Sequence, residues 1–143
     1  MADVHDVATR SKNMRSIRSK DTKPEMLVRR YLHGKGLRYA LHNKKLQGRP
    51  DIVFKKYNTI LFVNGCFWHG HKNCQNFVIP KTRTEWWLKK IAKTCERDKF
   101  AIKTLETDGW RVIILWECEL HRDYRYSTLV KLYEQIISGS TRP

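Results

Sequence analysis

Thr59-Ile60-Leu61-Phe62-Val63-Asn64-Gly65-Cys66-Phe67-Trp68-His69-Gly70-His71-Lys72-Asn73-Cys74 is the stretch that decides how this chain folds and what it can do. Thr59 to Val63 is an apolar run of the length expected of a buried strand. The residues after it gather Cys66 and Cys74, His69 and His71, and Phe67 and Trp68 into one irregular loop. Thiols and imidazoles this close together point to a metal site. Aromatic rings between them, in a basic chain, point to nucleic acid.

Upstream, Asp21-Thr22-Lys23-Pro24-Glu25 reads as a helix start: a capping residue, a proline in the first turn, then an acid. Leu27, Val28, Tyr31 and Leu32 follow at helical spacing, and Gly34 and Gly36 end the helix. Leu37-Arg38-Tyr39-Ala40-Leu41 alternates like a strand, Gly48-Arg49-Pro50 is a turn, and Asp51-Ile52-Val53-Phe54 opens a second strand. Lys55 to Asn58 makes a tight turn into the run at 59–63.

Downstream, residues 84–106 read as a long helix with Leu88, Ile91, Cys95, Ile102 and Leu105 on one face. Gly109 follows its end. Trp110 to Trp116 is apolar on both faces apart from Arg111, the pattern of a central strand covered by helices. Residues 127–138 make a last amphipathic helix. The order helix, three strands, helix, strand, helix predicts an α/β fold, a mixed sheet flanked by helices.

A chain of 143 residues with 41% apolar content fits one globular domain. Residues 1–20 carry Arg10, Lys12, Arg15, Arg18 and Lys20 with few large apolar groups, so they are expected to form a basic arm ahead of a domain over 21–143. The alternative is a solvated tail. A net charge of +15 predicts a polyanionic partner, nucleic acid first. No apolar stretch reaches the roughly 18 residues of a membrane span, and no secretory signal opens the chain, so a cytosolic protein is expected. In that compartment the four cysteines are expected as thiols or metal ligands rather than disulfides.

Cys66, His71 and Cys74 are spaced C-x4-H-x2-C, and Cys118 stands just past the apolar strand. Together they form a Cys3His set, a common closed zinc site, and a metal could order a loop that has no core. The competing reading of Cys118 is a small buried hydrophobe. Cys95 is expected in the core. His69 has the wrong spacing for the same ion and is free for another task.

Pro50-Asp51 before a strand is where nucleases of the PD-(D/E)-x-K type hold a metal-binding acid, although the second acid and lysine of that pattern are missing after Val63. A neutral imidazole at His69 could deprotonate an attacking water. Mg2+ prefers oxygen ligands and keeps several waters, so Asp51, the Val63 carbonyl and phosphate oxygens can suffice. Phe67 and Trp68 in the loop, and Trp86 and Trp87 at the next helix start, are either core rings or wedges for a base stack.

These residues bring the chain close to a known family. Met1-Ala2-Asp3-Val4-His5-Asp6, Thr9-Arg10-Ser11-Lys12-Asn13-Met14-Arg15, Gly48-Arg49-Pro50-Asp51, Gly65-Cys66-Phe67-Trp68-His69, Glu96-Arg97-Asp98, Gly109-Trp110-Arg111-Val112 and Trp116-Glu117-Cys118 resemble the very-short-patch-repair (Vsr) DNA mismatch endonucleases of bacteria. The resemblance implies a restriction-endonuclease-like fold, a PD-(D/E)-x-K variant. It implies Mg2+-dependent nicking of one DNA strand, 5′ to the T of a T:G mispair left by deaminated 5-methylcytosine. By resemblance, Asp51 and the Val63 carbonyl hold Mg2+, His69 is the catalytic base, and Glu25 supports it. Zn2+ is structural on Cys66, His71, Cys74 and Cys118. Phe67, Trp68 and Trp87 intercalate, and the arm clasps double-stranded DNA.

The family form has Thr and His at positions 63 and 64, where this chain has Val and Asn. A carbonyl ligand survives the Val, and Asn64 becomes the candidate phosphate contact. A monomer is expected, cytoplasmic and on the nucleoid when bound to DNA, with mismatch-repair proteins as further partners. Two rival classes are a nuclease cutting matched sites and a non-catalytic zinc-stapled DNA-binding module, the second leaving Asp51 and His69 without a joint role.

Overall fold

The computed structural model describes residues 21–139. The basic arm expected over 1–20 lies outside them. Helix α1, Lys23–Gly34, starts as the sequence predicts: the Thr22 hydroxyl accepts from the Glu25 N–H at 3.4 Å, and Pro24 lies in the first turn. Val28 and Leu32 are fully buried on its inner face.

Strand β1 is shorter than its sequence pattern, covering only Ala40–Leu41. The residues before it close the helix instead. The Leu37 N–H donates to the Leu32 carbonyl at 3.1 Å, and Gly36 takes a φ of 90° that favours glycine. Leu37 is then buried as a core residue rather than paired in the sheet.

Strands β2, Ile52–Phe54, and β3, Thr59–Asn64, are antiparallel with Ile52 opposite Leu61. Between them Lys55–Tyr57 forms a 3-10 turn, closed by Asn58 at φ 53°. Helix α2, Thr84–Thr107, then crosses over so that β4, Arg111–Trp116, pairs parallel to β3. Helix α3, Arg125–Ile137, ends the described part.

The four-stranded mixed sheet has the order β1-β2-β3-β4. One face, with Ile52, Phe54, Leu61, Ile113 and Leu115, packs on Val28 and Leu32 of α1 and Leu129, Leu132 and Ile136 of α3. The other, with Val53, Ile60 and Val112, meets Leu105 of α2. This is the alternation that β3 encodes.

Two expectations need correction. β4 was expected in the middle of the sheet and is its edge among the described residues, paired only with β3. Its apolar pattern arises because α2 and α3 cover both its faces; hydropathy reports covered faces, not hydrogen-bonded edges. On α2, Leu88 is half exposed and Trp87 takes the buried position.

The register places the site. Because β3 and β4 run parallel, they finish side by side, with Asn64 opposite Trp116. The loop after β3 therefore meets the residues after β4. Because β2 runs antiparallel to β3, Asp51 at the start of β2 lies beside the end of β3.

Candidate active site and metal-binding loop

The loop after β3 is built from tight turns: Gly70 N–H to the Phe67 carbonyl at 3.2 Å, His71 N–H to the Cys66 carbonyl at 2.9 Å. The Cys66 N–H donates to Glu117 Oε1 at 3.0 Å, and the Tyr124 hydroxyl donates to the Cys118 carbonyl at 2.8 Å. The ligand atoms of Cys66, His71, Cys74 and Cys118 all lie within 4.8 Å of one another. This is the set the spacing indicates. The His71 ring stacks on Trp116 at 4.0 Å and 7°, which fixes the imidazole plane.

All four cysteines are free of disulfides. Burial, then the neighbouring Cys66 and Cys74, pushes the Cys118 thiol up to about 12. Burial raises Cys66 as well, whereas the Asn76 backbone N–H lowers Cys74. Thiols crowded in this way cannot all ionise alone; a bound dication deprotonates them outright. Three sulfurs and one imidazole nitrogen therefore fit the four-ligand set of a structural ion.

Side chains between these ligands point elsewhere. Phe67 and Trp68 meet edge to face at 5.3 Å, and both contact Trp87, at 5.4 and 5.9 Å. Phe67 and Trp68 are half-buried, whereas Trp87 is 2% exposed and forms the floor beneath them. As the chain is folded here, Trp87 could enter a base stack only if the other two rings part. Trp86 is exposed, with the Arg83 guanidinium 4.5 Å above its ring and the Lys90 ammonium 5.4 Å away.

His69 faces a cleft of about 710 Å3, whose walls include His42, Arg49, Asp51, Val63, Asn64 and Asp98. Its Nδ1 lies 2.6 Å from Asp98 Oδ2. A carboxylate only accepts, so Nδ1 donates and Nε2 remains as the proton acceptor. The resemblance assigns the support of His69 to Glu25; the carboxylate within hydrogen-bond reach of His69 is that of Asp98, from the middle of α2. Its motif, Glu96-Arg97-Asp98, was visible, but nothing in the spacing ties position 98 to position 69. Cys95, one turn earlier on α2, donates to the His69 carbonyl at 3.5 Å.

Glu25 is 1% exposed and engaged elsewhere. Its Oε2 lies 2.7 Å from His42 Nε2 and 3.3 Å from an Arg29 nitrogen, and its Oε1 accepts the Asp21 N–H at 3.2 Å. Asp51 Oδ2 accepts the Val63 N–H at 2.7 Å. In a strand, the N–H and C=O of one residue project to the same side, so the Val63 carbonyl points to the Asp51 side too. Asn64 is buried beside them.

Burial raises the Asp51 carboxyl to about 6; the Val63 N–H opposes this, and the charge of Glu25 adds to it. A carboxylate this uncomfortable, with a carbonyl next to it, fits a hard oxygen-seeking cation. Asp51, an imidazole–carboxylate pair and basic side chains stand in one cleft of a +15 chain, an arrangement suited to acid–base chemistry on a polyanion such as DNA.

The sequence profile of the DNA mismatch endonuclease Vsr family matches residues 2–76. The chain is 52% identical over 120 residues to the DNA mismatch endonuclease Vsr of Escherichia coli (strain K12), covering 84% of this chain and 76% of that one. It is 49% identical over 120 residues to the type II nicking enzyme V.NmeAIP of Neisseria meningitidis, covering 84% and 85%. To V.XorIIP of Xanthomonas oryzae, also a type II nicking enzyme, it is 48% identical over 107 residues, covering 75% and 78%. The chain belongs to the Vsr DNA mismatch endonuclease family. It is thus a DNA-binding endonuclease of mismatch repair, which removes the non-catalytic module from contention. No described helix is long and apolar enough to cross a membrane.

Proposed function

We propose that this protein nicks one strand of duplex DNA on the 5′ side of the T in a T:G mispair, with Mg2+ as cofactor and Zn2+ as a structural ion. The observation that carries this reading is the convergence of two pairs on one cleft: Asp51 with Val63 at 2.7 Å and His69 with Asp98 at 2.6 Å. The sheet is read as a restriction-endonuclease-like core of the PD-(D/E)-x-K type. Residues 21–143 form one endonuclease domain and residues 1–20 an arm that clasps DNA.

Asp51 and the Val63 carbonyl would hold Mg2+, which neutralises developing negative charge on the phosphate when bound. Cys66, His71, Cys74 and Cys118 would hold Zn2+. His69 Nε2 takes the proton of a water, and Asp98 stabilises the imidazolium that results. The water oxygen bonds to phosphorus as the P–O3′ bond breaks. The leaving O3′ takes a proton from solvent, giving a 5′-phosphate and a 3′-hydroxyl. Asn64 contacts the phosphate. Phe67 and Trp68 enter the stack first, with Trp87 behind them; a wobble pair unstacks more cheaply than a matched one, so the wedge contributes to selection. The protein acts as a monomer in the bacterial cytoplasm, on the nucleoid, and mismatch-repair proteins are its expected partners.

End-labelled duplexes differing only in T:G against C:G, in several flanking contexts, with Mg2+ or EDTA, test this. A nick confined to T:G, 5′ to the T and abolished by EDTA, is expected. A second reading is nicking at matched sites; the Neisseria and Xanthomonas relatives are named as nicking enzymes with no mismatch in the name. Equal nicking of C:G would establish it in place of the first.

A further inference from the structure

His42 escapes the sequence motifs, yet it joins two functional positions. Its Nε2 reaches Glu25 Oε2 at 2.7 Å, and its backbone N–H donates to the Asp51 carbonyl at 3.0 Å. The backbone bond continues the β1–β2 ladder one step past Leu41–Ile52, so His42 and Asp51 close the base of the loop 43–50. That loop carries Lys44, Gln47 and Arg49 to the cleft. Its base is held in unusual conformations: His42 has φ 47° and Arg49 has φ 48°. A non-glycine residue stays in the left-handed region only when its surroundings hold it there.

The holder is α1. Glu25 is buried and its oxygens are taken by Asp21, Arg29 and His42. The chain of contacts runs from the helix through a carboxylate and an imidazole to the backbone of Asp51. We infer that His42 is a positioning residue: with Glu25 it forms a strut that fixes the Asp51 backbone, and so sets where the Asp51 carboxylate meets its cation. This rests on the reading that Asp51 holds the divalent ion. It also gives a task to Glu25, whose oxygens are taken by Asp21, Arg29 and His42. Groups that orient metal ligands from behind change metal affinity by about 10–100-fold when removed.

The test uses the full-length, zinc-loaded protein and Mn2+ alone as the probe, with free Mn2+ read by paramagnetic resonance. His42→Ala is expected to weaken Mn2+ binding by about 10–100-fold. His42→Gln keeps an N–H donor that can reach Glu25, so it should recover most of that affinity. Thermal melting is followed in parallel, and Glu25→Gln, which removes the charge that His42 meets, is the loss variant if His42→Ala does not fold. Asp51→Ala is the reference and should lose the Mn2+ site. If Asp51→Ala loses the site while His42→Ala binds as tightly as the unsubstituted chain, the strut is refuted and the Asp51 reading stands. Failure of His42→Gln to recover more than a folded His42→Ala also refutes it. If Asp51→Ala retains full affinity, the metal reading of Asp51 falls and the strut falls with it.

Discussion

Removing the charge of Asp98 is the sharpest way to examine the proposed base. Asp98→Asn keeps the size of the side chain and an acceptor oxygen, but leaves the His69 imidazolium without a carboxylate. The two side chains are 28% and 30% exposed, and the contact is 2.6 Å. A pair of unit charges near a surface interacts by about 4 kcal/mol at an effective dielectric near 20, and by about 1 kcal/mol in bulk water. With nearly a third of each group exposed, the pair lies between these limits, at about 2–3 kcal/mol. That corresponds to a fall of about 30–150-fold in the chemical step. Single-turnover nicking of a T:G duplex, with enzyme in excess, reads the step directly. Binding of the same duplex in EDTA and zinc content should stay unchanged, because Asp98 touches neither the zinc ligands nor the aromatic cluster. A rate within threefold of the unsubstituted chain, alongside an inactive His69→Ala, would refute the argument that Asp98 supports the base.

Asp51→Asn should stabilise the metal-free protein at pH 8. The folded-state carboxyl is raised to about 6 from its ordinary 3.8, so folding favours the protonated form. Its contribution is complete below the ordinary value and is lost as pH rises through about 6; a two-unit shift is worth about 3 kcal/mol at most. Urea unfolding at pH 4 and pH 8 should show the gain only at pH 8, and an equal effect at both would reject the buried-charge account. Gly70→Ala should destabilise by about 1–3 kcal/mol, since Gly70 has φ 60° and a Cβ there would lie 2.9 Å from Ile91 Cγ2 and 3.1 Å from Cys95 Sγ. A calorimetric melt unchanged from the unsubstituted chain would contradict that packing. Cys118→Ser should lower zinc stoichiometry by mass spectrometry and lower the melting temperature; a full complement of zinc with normal melting would reject the Cys3His set.

The long elements were legible because their patterns are long. α2 shows its period over many residues, β3 is an unbroken apolar run, and the C-x4-H-x2-C spacing marks the loop. Cys118 was readable because it follows a strand directly, and a parallel pairing with β3 delivers it to Cys66. What escaped depends on pairs that no local pattern encodes. Asp98 is one acid among several on a charged helix, and only the packing of α2 against the loop sets it 2.6 Å from His69. His42 stands in a short, poorly patterned hairpin, and its left-handed backbone has no sequence signal of its own. β4 looked central for a similar reason. Hydropathy records what covers a strand, and two helices cover this edge strand as fully as neighbours would.

The loop after β3 also bears on why the candidate metal ligands and the proposed base stand so close in sequence. Within six positions five side chains go to three destinations: Cys66 and His71 join the ion set, Phe67 and Trp68 join the aromatic cluster, and His69 faces the cleft. Here the divergence comes from a run of turns over residues 66–70. A run of turns buries too little apolar surface to hold itself. The candidate metal ligands bracket that run at positions 66, 71 and 74, and Cys118 ties it to the end of β4. On the proposed reading, an ion held by this set would act as the core that the loop lacks, and the position of the proposed base, His69, would depend on it. Losing a ligand should consequently blunt His69 and the wedge rings together, although neither touches the ion.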